Sequence, residues 1–123
     1  MKIIGVGVDI IDNLRIKKSI KNTLFLNRIF SKNEIKKSRK IKNKHNFFAK
    51  RFAAKEAFVK AIGTGFRNDL NFKDISINND KLGKPIIIIS NKLKMLIKKK
   101  YKINNYKFYL SIADERNYSI AFV

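Results

Sequence analysis

The spacing of apolar residues predicts one long helix in the middle of the chain. Between residues 47 and 62 an apolar residue returns every three or four positions, with alanines in between, so one side can be buried. The larger apolar residues of this side are Phe48, Phe52, Val59 and Ile62. Asn46 is the predicted N-cap, and Gly63 is predicted to end the helix, because glycine adopts a left-handed backbone without steric cost. The predicted helix therefore covers residues 47–62.

The N-terminal segment predicts a strand that delivers an acidic residue at its end. Apolar residues at positions 4, 6 and 8 alternate with Gly5 and Gly7 and are followed by Asp9. This period of two is typical of a strand. Because glycine weakens a strand unless another part of the chain packs closely on it, we expect a close neighbour here.

The remaining pattern completes the predicted fold. Three further segments have helical patterns: residues 13–22, 32–41 and 91–101. Ser31 and Glu34 form the S-x-x-E signature of a capping box, which predicts the start of the second of these helices. Four segments have strand patterns: residues 75–77, 86–90, 107–113 and 118–123. The run 86–90 is apolar throughout, which predicts a strand covered on both faces. The connections are predicted to include a mobile loop within 37–46 and a link over 66–74.

This order of elements predicts the fold class. A strand is followed by several helices and then by strands with one helix inserted, which indicates an α+β fold with a largely antiparallel sheet. The 123 residues suit a single domain over residues 1–123.

Composition limits the classes of protein to consider. There is no cysteine, so a disulfide framework and a thiolate metal site are excluded. There is no apolar run of about 18 residues, and the N-terminus passes directly into a strand pattern. We therefore expect a cytoplasmic protein with no signal peptide and no stable membrane insertion.

The net charge of +20 allows two interpretations. A strongly basic surface attracts polyanions, as in a small nucleic-acid-binding protein. Alternatively, lysine, isoleucine and asparagine, which all have AT-rich codons, make up nearly half of the chain, so genome bias would produce much of the charge. The lysines are spread along the chain without a basic and aromatic stacking platform. We therefore expect no nucleic-acid partner; a catalytically idle structural protein is the other alternative to an enzyme.

Glu56 is the residue of the long helix with the clearest chemical potential. It lies on the flank of the apolar side, four residues before Lys60. One interpretation is an ordinary ion pair within the helix; the other is a metal ligand beside a phosphate-binding lysine. Asp9 is the natural second carboxylate, because Mg²⁺ needs few protein carboxylates when water and phosphate oxygens supply the other ligands. Spacing alone does not decide between the ion pair and the metal ligand.

Four blocks of the sequence carry a family resemblance. They are, in order, GVGVDI, AKRFAAKEAFVKAIGTGFRN, NDKLGKP and LSIADERNY. In this order they resemble the signature blocks of holo-acyl-carrier-protein synthase, the short bacterial 4'-phosphopantetheinyl transferase, over nearly the whole chain. The resemblance implies the single-half fold of this superfamily and a homotrimer with active sites between subunits.

The resemblance also implies the reaction. The enzyme would transfer the 4'-phosphopantetheine group from coenzyme A to a serine hydroxyl of apo acyl carrier protein, releasing 3',5'-ADP, for fatty acid biosynthesis. Asp9 and Glu56 would hold Mg²⁺, and Lys60 would stabilise charge on the leaving group. The general base would be Glu56 or a water linked to Asp9.

Binding residues follow from the resemblance as well. The residues implied for coenzyme A are Lys44, His45, Arg51, Lys60, Gly63, Thr64, Gly65, Lys84, Pro85 and Asp114. The residues implied for docking of the acyl carrier protein are Arg15, Phe25 and Arg28. At the position of Asp114 many family members carry histidine, and an aspartate there resembles the proteobacterial variant. Histidine is therefore not expected to carry a proton at this point.

Overall fold

A computed structural model describes residues 1–67 and 70–123, which form helices and antiparallel strands. The helices are α1 (Asn13–Ser19), α2 (Thr23–Ile29), α3 (Lys32–Ser38), α4 (Lys44–Ile62) and α5 (Asn91–Tyr101). The strands are β1 (Val8–Asp12), β2 (Ile75–Asn79), β3 (Pro85–Ile89), β4 (Ser111–Asp114) and β5 (Tyr118–Phe122). A short 3₁₀ helix, Phe72–Asp74, precedes β2. The predicted link over 66–74 includes Asn68 and Asp69, which lie outside the described residues.

The strands form two antiparallel sheets, which confirms the predicted α+β class. One sheet has three strands in the order β1-β5-β4, and the other consists of β2 and β3. The helix α4 packs against β1 and β5 on one face of the larger sheet and also contacts β2. It thus joins the two sheets.

Small residues allow α4 to approach β1 closely. Ala53 and Ala57 are fully buried. A Cβ atom on Gly5 would lie 1.9 Å from the carbonyl oxygen of Ala61, and one on Gly7 would lie 2.0 Å from that of Ala57. Any side chain at either position would therefore push the strand away from the helix. The close neighbour predicted from these glycines is confirmed.

The long helix ends as predicted but begins earlier. Gly63 caps its C-terminus with a φ of 70°. The N-cap is Asn43, whose Oδ1 accepts a hydrogen bond from the backbone of Asn46 at 3.2 Å. Asn46 was therefore the wrong N-cap, and the loop predicted within 37–46 is shorter, because α4 starts at Lys44. No helix within residues 1–67 and 70–123 combines the length and apolar character needed to cross a membrane.

The capping box predicted before α3 is confirmed. Ser31 Oγ accepts from the backbone of Glu34 at 3.2 Å, and the backbone of Ser31 donates to Glu34 Oε1 at 2.9 Å. The helix ends at Ser38 instead of residue 41, and Ser38 Oγ donates back to the carbonyl of Ile35 at 2.6 Å. The helix α2 was not predicted.

Several strand boundaries are also shifted. β1 begins at Val8, so that Asp9 is its second residue and does not follow its end. β4 begins at Ser111, later than the predicted residue 107. The strand β3 is covered on one face only, because Ile86 and Ile88 are exposed. An apolar run therefore does not prove that both faces of a strand are buried.

Candidate active site

Asp9 and Lys60 meet where β1 packs against α4. Asp9 pairs with Ala121 of β5, which is buried against the helix, so the Asp9 side chain lies on the helix side of the sheet. Lys60 Nζ donates to Asp9 Oδ1 at 2.9 Å and to the carbonyl oxygen of Val8 at 3.0 Å. The Asp9 side chain is 16% exposed and that of Lys60 is 52% exposed. This ion pair is therefore open to solvent on the lysine side.

Glu56 belongs to the same group of charges. Burial raises the pKa of its carboxyl group above 4.5, and the negative charge of Asp9 raises it further. The charges of Lys60 and Arg15 act in the opposite direction. Lys60 forms its ion pair with Asp9, not the intrahelical pair with Glu56 that the spacing allowed. Glu56 is thus a half-buried carboxylate beside another carboxylate.

The donor set of Asp9 and Glu56 fits a divalent cation. Within the described residues no three or more histidine, cysteine or acidic side chains form a cluster that could hold a metal. Mg²⁺ needs no such cluster, because it keeps several waters and binds through one or two carboxylates plus phosphate oxygens. Burial is the larger cause of the raised pKa of Glu56, and the negative charge of Asp9 adds to it; a divalent cation would offset both effects.

The Gly63-Thr64-Gly65 turn lies at the C-terminal end of α4, next to Lys60. Gly63 and Gly65 both have left-handed backbones, with φ of 70° and 59°. The last helical carbonyl, that of Ile62, accepts hydrogen bonds from Lys100 Nζ at 3.0 Å and from the Tyr101 hydroxyl. α5 thereby fixes the start of the turn.

A second group of predicted residues surrounds a cavity of about 160 Å³. Arg51, Pro85 and Asp114 line it together with Lys50, Ile77, Asn79, Gly83 and Ile112. Asp114 accepts a hydrogen bond from Asn46 Nδ2 and lies 4.0 Å from Lys50 Nζ. Lys50 and Arg51 make the α4 side of the cavity basic.

Arg51 is the buried cation of this cavity. Its guanidinium stacks 3.6 Å from the centroid of the Phe47 ring, and Nη2 donates to Asn79 Oδ1 at 2.9 Å. Its Nε has no hydrogen-bond partner among the described residues. Burial lowers the pKa of Arg51 to about 10, although the charge of Glu34 raises it. One donor of this cavity-lining side chain is therefore unpaired among the described residues.

The predicted coenzyme A residues thus fall into two groups within one chain. Nine residues, or two and a half helical turns, separate Arg51 from Lys60, which puts them on opposite sides of α4 and about 13 Å apart along its axis. Lys44 is exposed and His45 is half-buried near the start of α4, on the N-terminal side of Arg51. Lys84 is exposed in the turn before β3, where its backbone donates to Asp80 Oδ1 at 2.9 Å.

The residues predicted for carrier docking lie on α1 and α2. Arg15 and Arg28 are exposed. Phe25 is half-buried, and its ring centroid lies 6.5 Å from that of Phe52. The exposed apolar side chain of α2 is Leu24, at 81%.

Sequence reasoning missed the hydrogen bonds that hold Asp114 in place. Asn13 is buried and donates to Asn46 Oδ1 at 3.0 Å, and Ser119 Oγ donates to Asn13 Oδ1 at 2.7 Å. Asn46 in turn donates to Asp114. The residues come from α1, α4 and the β4–β5 hairpin. An asparagine at the start of a helix pattern signals a cap, and nothing local distinguishes it from a residue with distant partners.

Comparison with known proteins identifies the family. A model of the 4'-phosphopantetheinyl transferase superfamily matches residues 5–123. A holo-(acyl-carrier-protein) synthase of Pelagibacter ubique is 58% identical over 123 residues, which cover 100% of this chain and 96% of the relative. The chain therefore belongs to the 4'-phosphopantetheinyl transferase superfamily and, within it, to the family of the holo-(acyl-carrier-protein) synthases.

Solved structures agree with this assignment. A holo-(acyl-carrier-protein) synthase from Neisseria meningitidis matches with a TM-score of 0.89 at 36% identity, over 98% of this chain and 96% of that one. A holo-(acyl-carrier-protein) synthase from Bacillus anthracis, solved in complex with CoA (3',5'-ADP), matches with a TM-score of 0.79 at 36% identity, over 97% and 92% of the two chains. The fold and the family predicted from the sequence are both confirmed.

Proposed function

We propose that this chain transfers the 4'-phosphopantetheine group of coenzyme A to a serine hydroxyl of an apo acyl carrier protein and releases 3',5'-ADP. The observation that carries the proposal is the meeting of Asp9, Glu56 and Lys60 between β1 and α4 in a chain of this family. The complex of the Bacillus anthracis relative with CoA (3',5'-ADP) supports coenzyme A as the donor. We expect the product to serve fatty acid biosynthesis in the cytoplasm.

Two carboxylates and an ammonium group provide what transfer from a diphosphate requires. We assign Asp9 and Glu56 to Mg²⁺, which, when bound, neutralises charge on diphosphate oxygens. Lys60 is half exposed, so its Nζ is free to move from Asp9 to the oxygen on which leaving-group charge develops. Transfers of this type depend on position and charge, not on covalent chemistry by the protein.

The serine hydroxyl must lose a proton as its oxygen attacks the β-phosphorus. The new bond joins the serine oxygen to this phosphorus, and the bond that breaks joins the phosphorus to the bridging oxygen, which leaves with 3',5'-ADP. We infer two candidates to accept the proton, the Glu56 carboxylate and a water next to Asp9.

We assign the basic cavity around Arg51 to the adenosine and 3'-phosphate end of coenzyme A. The buried guanidinium with its unpartnered Nε suits a phosphate, and Lys44 and His45 lie near the start of the same helix. Pro85 offers an apolar edge for a base, with Lys84 beside it. The Gly63-Thr64-Gly65 turn leaves backbone groups accessible to the diphosphate.

We further propose a homotrimer in which neighbouring subunits complete each active site. In one chain the Arg51 cavity and the Asp9 group lie on opposite sides of α4, so a single coenzyme A would have to pass around the helix to place its 3'-phosphate in the cavity and its diphosphate at Asp9. The outer face of the larger sheet also carries exposed apolar side chains that suit a subunit interface: Val8, Ile10, Ile120 and Phe122. Sedimentation tests this: a trimer is expected for the wild type, and Ile10→Asp should give inactive monomers. A fully active monomer would contradict the assembly.

Carrier docking is assigned to the exposed cations of α1 and α2. Arg15 and Arg28 can grip carboxylates of an acidic helix through two parallel hydrogen bonds each. Phe25, which packs on Phe52, would form the apolar layer beneath the surface of Arg15 and Arg28. The positive charge of the chain would speed the encounter with an acidic carrier.

The proposed reaction is tested by intact-mass analysis of an apo acyl carrier protein. The carrier is incubated with this protein, coenzyme A and Mg²⁺, with a parallel sample in EDTA. We expect a gain of one phosphopantetheine that EDTA abolishes. No gain with several carriers and a folded protein would contradict the proposed function, and a gain that EDTA leaves unchanged would contradict the role of Mg²⁺ alone.

A further inference from the structure

A buried pair of opposite charges lies beneath the proposed active site and takes no part in its chemistry. The side chains of Glu34 and Lys55 are both 0% exposed, and Lys55 Nζ lies 2.7 Å from Glu34 Oε1. Charged groups are rarely this deeply buried unless they are paired. Lys55 directly precedes Glu56 in α4.

Each member of the pair is held by further hydrogen bonds to the backbone. Glu34 Oε1 accepts from Lys55 and from the backbone of Ser31 at 2.9 Å, and Oε2 accepts from the backbone of Ile77 at 3.1 Å. Lys55 Nζ also donates to the carbonyl of Ile29 at 2.7 Å. The pair therefore joins the end of α2, the start of α3, strand β2 and the middle of α4.

Stability alone does not explain such a pair. Removing two charges from water is costly, and apolar residues of similar volume often give a protein that is at least as stable. Hydrogen bonds differ from apolar contacts in that they fix direction. Successive residues of a helix point about 100° apart. The direction in which Lys55 is held therefore sets the direction of Glu56, which faces Asp9, Lys60 and Arg15.

We propose that Glu34 and Lys55 are positioning residues of the transferase, which fix the rotation of α4 so that the Glu56 carboxylate faces Asp9. The inference rests on the proposed function, because it assigns the pair to the placement of a metal ligand. Residues that orient a ligand in this way usually change metal affinity or activity by about 10-fold to 100-fold when they are replaced.

The test replaces the pair by a neutral one of similar size, Glu34→Gln with Lys55→Met. The glutamine amide oxygen still accepts a hydrogen bond from the backbone of Ser31 or Ile77. The hydrogen bond from Lys55 to the carbonyl of Ile29, which links α4 to the end of α2, is lost. A second double variant, Glu34→Met with Lys55→Met, makes the site apolar. The matched control is Leu93→Ala, which removes buried volume on α5 without touching the pair. Folding is verified by circular dichroism and thermal unfolding.

Two readouts separate positioning from a loss of stability. One is the affinity for Mn²⁺, measured by electron paramagnetic resonance without substrates; the other is kcat at saturating coenzyme A and carrier. We expect a folded double variant to bind Mn²⁺ about 10-fold more weakly and to lose about 10-fold to 100-fold in kcat. The Leu93→Ala control should keep both values within about twofold of the wild type.

Each other outcome overturns the inference. If the double variants match the control in Mn²⁺ affinity and kcat, the role of Glu34 and Lys55 is purely structural. Failure of both double variants to fold would show that the fold itself requires the pair, contrary to a positioning role. If the wild type itself neither transfers phosphopantetheine nor binds Mn²⁺, the proposed function fails and the inference fails with it.

Discussion

Lys55 and Glu56 are neighbours in one helix, yet their environments are opposite. Lys55 is fully buried against Glu34, and burial lowers its pKa while the charge of Glu34 raises it. Glu56 is half-buried next to Asp9, which adds to the effect of burial in raising its pKa. In the first region every charge is compensated within the fold. In the second region two carboxylates face each other with Lys60 bound to only one of them.

The contrast separates charges that are compensated within the fold from charges that are left to act on a ligand. A compensated buried pair needs no ligand of its own, whatever it does for the residues around it. Adjacent carboxylates raise the free energy of the folded state unless a cation or a proton joins them. The second region is therefore where a metal and a diphosphate are expected.

The largest effect is expected from Glu56→Gln. The change removes one carboxylate oxygen from the proposed metal ligands and hardly alters volume. A metal contributes several kcal/mol to such a transition state, so transfer should fall by about 10³-fold or more. Intact-mass analysis of the carrier measures this, with Glu115→Gln, an exposed glutamate, as the control that keeps activity. Full Mg²⁺-dependent activity of the Glu56 variant would show that Glu56 is not a residue of the metal site.

The neighbouring single change, Lys55→Met, should act on stability. It leaves the Glu34 carboxylate buried without its cation, which should lower the free energy of unfolding by about 3 to 5 kcal/mol. Urea unfolding measures this loss. Lys94→Met, an exposed lysine on α5, is the control and should stay within about 0.5 kcal/mol of the wild type. Equal stability of the two variants would mean that the buried charges are not coupled.

Arg15→Glu should affect one substrate only. Reversal of this exposed charge on α1 should weaken carrier binding by about tenfold, because charges at the rim of an interface act mainly on association. Affinity for coenzyme A should hardly change, and calorimetric titrations with each substrate compare the two. Lys102→Glu, the same change of charge beyond α5, is the control. A parallel fall in both affinities would contradict carrier docking at α1.

The smallest effect is expected at Asp74, which belongs to neither charged region. Partial burial raises the pKa of its carboxyl group, but hydrogen bonds from the Asn71 backbone, Ser90 and Lys92 outweigh burial and lower it below 3.8. A lowered pKa means that the ionised form stabilises the fold above pH 3.8 and that this contribution disappears as the pH falls through the folded pKa.

Asp74→Asn should therefore cost about 1 kcal/mol at neutral pH, and this cost should shrink as the pH falls through the folded pKa of Asp74. Urea unfolding at several pH values measures the difference between variant and wild type. A difference that is independent of pH would mean that the charge of Asp74 does not contribute.

The sequence predicted local features of the fold better than distant contacts. The apolar spacing of α4, its end at Gly63 and the capping box before α3 depend on residues a few positions apart, and all three are confirmed. The N-cap was wrong because Asn43 and Asn46 both suit a cap. The choice depends on the hydrogen bond that Asn46 accepts from Asn13 and the one that it donates to Asp114, and both partners lie far away in sequence.

The same limit applies to the candidate site. Asp9, Glu56 and Lys60 were singled out from their residue types and positions, and the family resemblance supplied their roles. In the structure Lys60 donates to Asp9, and the charge of Asp9 contributes to the raised pKa of Glu56. Which carboxylate pairs with Lys60 depends on the packing of β1 against α4, so the spacing within the helix allowed the wrong partner. The burial of Lys55 had no signal in the sequence, because its partner Glu34 already had a local role as a capping residue.

The free energy of unfolding of Glu56→Gln, measured with urea at neutral pH in EDTA, tests the contrast between the two regions most directly. If Glu56 is placed for chemistry beside Asp9, loss of its charge removes a repulsion, and the variant should be at least as stable as the wild type. A loss of more than about 1 kcal/mol would mean that Glu56 supports the fold as Glu34 does, and would contradict the account.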